Sequence, residues 1–477
     1  MTGTDHAPLL ENAFDLDLAE ESYSIEEISG RVPDYLRGTY YLNGPALFAK
    51  GGQSYLHWLD GDGMVCALRF DGAGVTFTNR FVRSTKYTTE QEAGRPVFRA
   101  FGTAFEDDRL MHGVGLQSPV NVSVYPACGT LLAFGEQGLP WELDPVTLET
   151  RGEYTFDGRL NPVSPFSAHP NIDFDSGELF NFGISFSARR PCIHLYRAAP
   201  SGELVYRRRI AIEAPCSVHD FGISPGYVAI HLAPYVLNIE ALLEGGATLM
   251  DSLRWQPERG SRLVVARRED GREVAQVPVG NAYSLHQINC FEEGGHLVVD
   301  VVELGEPVYD QYDVPLLFPE VRRAQPVRYV LDLEAGSVVR RETLPFRSMC
   351  DFPAIDTRLA GRDYDDFWVL AISASERPGR KFFDQLVHQT WSGREAAIWQ
   401  APPGSYLGGE PIFLADPADD RRGLVICQRF DAERRRSAFL LFDAHDVARG
   451  PVAELWLRRP VHLGFHASFD PRQSVGA

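Results

Sequence analysis

Lysine is nearly absent from this chain of 477 residues: it occurs only at Lys50, Lys86 and Lys381, and arginine carries almost all the positive charge. The basic residues are outnumbered, and the formal net charge is −19. That excludes recognition of nucleic acid and electrostatic attraction to anionic lipid, while leaving attachment through an apolar patch open. Cysteine is sparse and scattered, at Cys66, Cys128, Cys192, Cys216, Cys290, Cys350 and Cys427, an odd number with no CxxC pair. Such a set fits reduced thiols and a cytoplasmic setting rather than a disulfide framework or a structural zinc site. There is no run of eighteen apolar residues, so no transmembrane helix is expected. The opening MTGTDHAPLLENAFDLDLAEES has neither the basic nor the apolar region of a secretory signal. Helical periodicity is scarce as well; its best stretch, LNIEALLEGGATLMDSL (237–253), is broken by Gly245-Gly246.

What the chain has instead is alternation. Period-2 segments broken by Gly, Pro, Asp or Asn recur, as in NVSVYPACGTLLAFGE (121–136), SRLVVARREDGREVAQVPV (261–279) and RYVLDLEAGSVVRRETL (328–344). Short strands at regular spacing predict an all-β sandwich, barrel or propeller. No Pro/Ser-rich linker divides the chain, so residues 23–477 are expected to form one domain, with 1–22 as an acidic, loosely ordered lead-in.

Histidine punctuates this pattern. In FSAHPNIDFDSGELFNFG (166–183), His169 precedes a strand, a turn at Asp175-Ser176-Gly177 and a second strand. His219, before a turn at Ser224-Pro225-Gly226, and His286, before one at Glu293-Gly294-Gly295, stand in the same relation to their hairpins. The three lie 50 and 67 residues apart, about the length of a four-stranded propeller blade with its connections. Residues equivalent within their blades converge on a propeller axis. Four imidazoles meeting there would make a metal site, because neutral imidazole is a favoured ligand of Fe, Cu, Ni and Zn. The spacing leaves the fourth position open between His462 and His466, which share a strand face. His231 and His296 fall on second strands, and His194, His388 and His445 lie in polar context; all five are set aside.

From about residue 31 to 470 the sequence resembles the carotenoid cleavage oxygenases. The resemblance rests on LRGTYYLNGP (36–45), HWLDGDGMVCALRF (57–70), LLAFGEQGLPWELDPVTLETRG (131–152), FSAHPNIDFDSGELFNFG, VHDFGIS (218–224), LRWQPERGSRLVVARR (253–268), GGEPIFLADP (408–417) and SAFLLFDAHDVARGPVAELWLRRPVHLGFHASF (437–469), in the family's order. It implies a seven-bladed β-propeller with a loop and helix cap, and one non-haem Fe(II) per chain held on the axis by four histidines. Residue by residue, these would be His169 (AHP), His219 (VHDF), His286 and, in GFH, His466 rather than His462. It implies further that Glu136 (FGEQG), Asp351 (MCDFP) and Glu410 (GEPIF) hydrogen-bond the outer nitrogens of three of them, which fixes tautomer and orientation. Asp351 departs from the family's usual glutamate, which puts its contact with His286 in doubt. The stretch at Leu42 and Ala46–Gly51 also departs from the family's RNGPNP pattern.

The implied chemistry is cleavage of an electron-rich C=C bond by O₂ into two carbonyl products. The expected substrate is a small apolar polyene, a carotenoid or apocarotenoid, in a tunnel that includes Phe166, Phe101 and Val120, the last against an open metal position. Relatives that cleave stilbenes use a tyrosine and a lysine on the phenol; Phe101 and Gly135 stand at those positions here, which disfavours a phenolic alkene. The alternatives are stilbene or phenylpropanoid cleavage by the same chemistry, an isomerohydrolase acting on a retinyl-type ester, and a binding module with vestigial histidines. The segment 234–250, with Val236, Leu237, Ile239, Leu242 and Leu243, is expected either to dock peripherally on a membrane or to cover the propeller.

Overall fold

The computed structural model describes residues 5–472 apart from 113–114, 188, 244–246, 347 and 394. The alternating segments form seven antiparallel sheets, each a blade of a propeller. The first runs outward from Ala467–Asp470 through Gly38–Leu47, Asp62–Phe70 and Val75–Phe81 to Ser22–Ser24. The next five are four-stranded and follow the chain, their innermost strands being Ser123–Ala127, Asn171–Ile172, Gly222–Ile223, Tyr283–Glu293 and Met349–Ala354. The seventh runs from Ser405–Asp416 through Asp419–Asp431, Arg436–Asp443 and Pro451–Trp456 to Glu27–Gly30. The ring is thus closed twice, by a C-terminal strand inside the first blade and an N-terminal strand outside the seventh.

Strands buried on both faces are mostly apolar, with a few buried polar residues such as Asn43, Gln287 and Asn289. The faces of neighbouring blades meet in dry seams, such as Phe180, Phe182 and Ile193 against Ile223, Ile230 and Val264, or Tyr40, Leu68 and Phe77 against Ile426, Phe439 and Leu441. Each such side chain contributes about 1.5–3 kcal/mol on burial.

The cap is made of loops, the helix Thr85–Ala93 and the short helix Ile239–Leu243. Ser84 caps the longer helix by accepting the Tyr87 N–H, and Gly94 ends it at φ +64, a left-handed position suited to glycine. The rare lysines anchor this side. Lys86, 1% exposed, donates to Tyr55, Asp62 and Glu90, and Lys50 donates to the same two carboxylates. Burial alone would discharge Lys86; Asp62, Tyr55 and Glu90 outweigh it and hold the ammonium charged. Lys381 gives its three protons to the carbonyls of Pro319, Arg377 and Gly379.

The N-terminal lead-in is a correction to expectation. Acidic composition suggested loose order, yet from residue 5 the segment packs on the body. Ala7, Leu10 and Ala13 are buried, Arg380 pairs with Asp5 and Glu11, and the Tyr406 hydroxyl donates to Pro8. The buried Ala7, Leu10 and Ala13 are interspersed with Asp5, His6, Glu11, Asn12 and Asp15, which is why composition misled. Residues 1–4 lie outside the described set.

Candidate metal centre

Each blade sends one residue to the axis. Blades one, three, four and five supply His466, His169, His219 and His286; blades two, six and seven supply Glu136, Asp351 and Glu410. His169, His219 and His466 lie just ahead of an innermost strand, whereas His286 lies within one. All four imidazoles are buried, and one ring nitrogen of each falls within 4.8 Å of the others. The spacing-based set of His169, His219 and His286 is brought together, and His466 is the fourth; His462 is buried elsewhere with neither nitrogen bonded.

Ring centroids of His219 and His466 are 6.2 Å apart, the widest pair, while His169 lies 4.3 Å from each. His169 Nε2 and His219 Nε2 are separated by 2.8 Å. Adjacent ligands at bonds of about 2.1 Å to a first-row metal stand about 3.0 Å apart, so the spacing suits a shared ion.

The outer nitrogens are held as follows. Glu136 Oε1 accepts from His219 Nδ1 at 2.8 Å, Asp351 Oδ1 from His286 Nδ1 at 2.5 Å, and Glu410 Oε2 from His466 Nδ1 at 3.3 Å. With Nδ1 engaged, Nε2 of each ring is left for the axis, and His286 Nε2 is a buried nitrogen with no hydrogen-bond partner. Asp351 makes its contact despite its shorter side chain. Its strand bulges between Asp351 and Ala354, with Phe352 at φ +54, and this re-aims the carboxylate inward.

Electrostatics supplies a further test of fit. Burial, then the neighbouring imidazoles, hold His169 and His466 far below the ordinary histidine range, so both are neutral. Burial opposes charge on His219 too, but the Glu136 carboxylate outweighs it and raises its pKa. Burial, reinforced by Asp220, pushes Glu410 well above the usual carboxylate range. Among the described residues no lysine or arginine forms an ion pair with Glu136, Asp220, Asp351 or Glu410; each carboxylate faces a histidine instead. Four imidazoles ringed by carboxylates, with no lysine or arginine paired to those acids among the described residues, suit a divalent cation on the axis. The cluster fits a metal site.

Two residues of the centre were not singled out in the sequence. Asp220, next to His219 in VHDF, accepts from the Phe221 and Gln287 backbone and lies 3.8 Å from His169 Nδ1. Its position beside a candidate ligand was the available signal. Val122, rather than Val120, meets the ligand set: its carbonyl accepts the His466 N–H at 3.1 Å. Val120, at φ +54, is packed in the seam with Val65, Val124 and Leu131, a correction to its expected place beside an open metal position. Its carbonyl and that of Ser123 are held by Asn43 of the LNGP motif.

A cavity of about 440 Å³ abuts the centre at Glu136, Ser167 and Val218 and is walled by Phe101, Phe166, Phe182, Phe186, Leu242 and Leu249 among others. Phe101 and Phe166, expected to line a substrate tunnel, both border this cavity. Of the apolar residues in 234–250, Leu237 and Leu242 are buried, Val236 and Ile239 are half-buried, and Leu243 alone of the five is exposed. Leu237, Ile239, Leu242 and Leu243 all line this cavity. Residues 244–246 of that segment lie outside the described set, and no helix among the described residues is long and apolar enough to cross a membrane.

The family profile described as Retinal pigment epithelial membrane protein matches residues 16–471. An apocarotenoid-15,15'-oxygenase of Synechocystis sp. is 30% identical over 467 residues, 94% of each chain. An isoeugenol monooxygenase of Pseudomonas nitroreducens is 26% identical over 464 residues, again 94% of each. The crystal structure of cobalt-substituted Synechocystis apocarotenoid oxygenase superposes with a TM-score of 0.89 at 26% identity, covering 98% of this chain and 100% of that one. On this likeness along its whole length, the chain belongs to the carotenoid cleavage oxygenase family and is an enzyme of that oxygenase type.

Proposed function

We propose that this protein is a non-haem Fe(II)-dependent dioxygenase that cleaves one C=C bond of an apocarotenoid, with O₂ as co-substrate, into two carbonyl products. The observation that carries the reading is the buried four-imidazole cluster beside an apolar, phenylalanine-walled cavity. His169, His219, His286 and His466 would hold one iron per chain, and the bound metal supplies the dioxygen activation that splits the alkene. Glu136, Asp351 and Glu410 keep three of the rings in the tautomer whose Nε2 lone pair faces the axis. Phe101, Phe166 and their neighbours exclude water and orient a flat, apolar chain so that one bond lies at the metal.

Two observations favour an apocarotenoid over a phenolic alkene such as isoeugenol or resveratrol, on which other relatives are named to act. Phe101 offers no hydroxyl to a phenol; its ring is packed on His57 and Tyr309. Gly135 likewise carries no side chain that could reach a phenol. A site that lacks the tyrosine and lysine expected to anchor a phenol gives up that source of discrimination in its favour. The exposed Leu243 at the cavity mouth supports delivery of substrate from a membrane surface.

The test is anaerobic reconstitution with Fe(II), then aerobic incubation with an apocarotenal, β-carotene and resveratrol, products being read by mass. One iron per chain and two carbonyl products from the apocarotenal, both lost in His219→Ala, are expected. Cleavage of resveratrol alone would overturn the substrate class, and product formation without O₂ uptake would favour the isomerohydrolase reading. Failure to retain iron would overturn the centre itself.

A further inference from the structure

Away from the axis, the sixth and seventh blades bring a second set of ligand-type side chains together: Asp366, His388 and His445. Asp366 opens the strand Asp366–Ile372, and His388 lies on its neighbour Gln385–Thr390 in the sixth blade. His445 sits in the turn that follows Arg436–Asp443 of the seventh. Asp366 Oδ1 is 2.7 Å from His388 Nε2 and 3.6 Å from His445 Nδ1, and the three ligand atoms all lie within 4.8 Å of one another. We propose that this triad is a second metal site, taking Zn²⁺ through His388 Nε2, His445 Nδ1 and an Asp366 oxygen, and that it staples the sixth blade to the seventh.

The ligand set argues for the ion. Two imidazoles and one carboxylate suit zinc and its first-row neighbours; Mg²⁺ and Ca²⁺ prefer all-oxygen shells. Ligand atoms in a tetrahedral zinc site with bonds of about 2.05 Å stand about 3.3 Å apart. The two separations from the carboxylate, 2.7 and 3.6 Å, bracket that value, and the third pair lies within 4.8 Å, so side-chain adjustments at this partly exposed site would seat an ion.

The site is also built from beneath. The buried Trp368 indole stacks on His388 with 16° between planes and 5.2 Å between centroids. Its Nε1–H donates to the Ala444 carbonyl at 2.8 Å, which fixes the backbone next to His445. Phe413 of the seventh blade stacks on the same indole at 5.1 Å. Two ligands are therefore oriented by one tryptophan that spans the seam. The Asp366 and His445 side chains are 40% and 38% exposed, which leaves the fourth position to water. Three ligands with an open fourth position would also describe a catalytic zinc, but the triad ties two blades through Trp368 and lies apart from the apolar cavity at the axis, whose lining includes none of its residues. A structural role follows.

The experiment uses iron-loaded full-length protein equilibrated with zinc chloride, dialysed, and analysed for zinc per chain. Wild type is expected to retain one zinc more than His445→Ala or Asp366→Asn. Asp366→Asn keeps the size and hydrogen bonding of the side chain while removing its charge, so it guards against loss through misfolding. At zinc in hundredfold excess over the dissociation constant the wild-type melting temperature should rise by about 3 °C, and that rise should vanish in both variants. Equal zinc retention by wild type and either variant would overturn the site. Extra zinc with no rise in melting temperature would overturn the staple.

Discussion

Asp351 has one methylene fewer than the glutamate that the family resemblance implies, yet its Oδ1 stands 2.5 Å from His286 Nδ1, and its side chain is fully buried. The same oxygen accepts the Phe352 N–H, so the carboxylate is held from two sides. Asp351→Asn keeps the volume and removes the charge. It is expected to weaken iron binding by about 10–100-fold, as read by competition with a chelator; unchanged affinity would mean that the carboxylate does not support the ligand. Asp351→Glu, though it restores the family's residue, inserts a methylene into a closed site and should cost about 1–3 kcal/mol in denaturant unfolding. Glu136 and Glu410 were legible because they sit in motifs. Asp220 and Val122 were not, because one is a lone acid beside a histidine and the other acts through its backbone.

At the level of single elements, three of the axial residues, His286, Asp351 and Glu410, are placed by irregularities in otherwise regular strands. Pairing slips around His286 between Ser284 and Asn289, between Asp351 and Ala354, and around Glu410 between Gly408 and Ile412. An ideal strand turns alternate side chains to its two faces; a bulge lets one residue aim along the axis instead. Close packing holds these bulges in place. Leu42, fully buried, fills the space beside Gly409 and Gly464, which flank Glu410 and His466. An added Cβ at Gly464 would lie 2.6 Å from Leu42 Cδ1. Gly464→Ala is therefore expected to lower stability by about 1–3 kcal/mol and to reduce iron content. Adding Leu42→Ala should return part of both losses; strict additivity of the two substitutions would show that they do not meet. Leu42 stands where the resemblance implies arginine, and its role became visible only against the glycines.

The molecule as a whole depends on ends that meet. Ser22–Ser24 and Glu27–Gly30 complete the first and seventh blades from outside, and Ala467–Asp470 completes the first from inside. The segment ahead of them is tied down by Leu10 and by Arg380 with Asp5 and Glu11. Those ion pairs are partly exposed and worth little; the apolar burial matters more, at about 1.5–3 kcal/mol for a leucine. A chain lacking residues 1–21 should melt at a lower temperature while keeping its iron stoichiometry, since none of the described residues of that segment belongs to the axial cluster. An unchanged melting temperature would show that the lead-in adds no stability. Ending the chain after residue 466 is a sharper test. It removes the inner strand of the first blade, including the bond from Ser468 Oγ to the Val124 carbonyl, and should abolish iron binding.

Alternation and turn residues are local, and so the β class, the blade length and the recurrence of His169, His219 and His286 ahead of hairpins were properties of the sequence by itself. Motifs in order then pointed to seven blades and to His466 over His462. What only the tertiary structure decided are the facts that depend on residues far apart in the chain. These include the bulges that aim Asp351 and Glu410, the pairing of Glu136 with a histidine 83 positions away, and the burial of Leu10. They also include the meeting of Asp366, His388 and His445 across a blade seam, among histidines set aside for their polar surroundings. Period and propensity act over a few residues. Register slips and seams are set by packing between blades, and no local pattern records them.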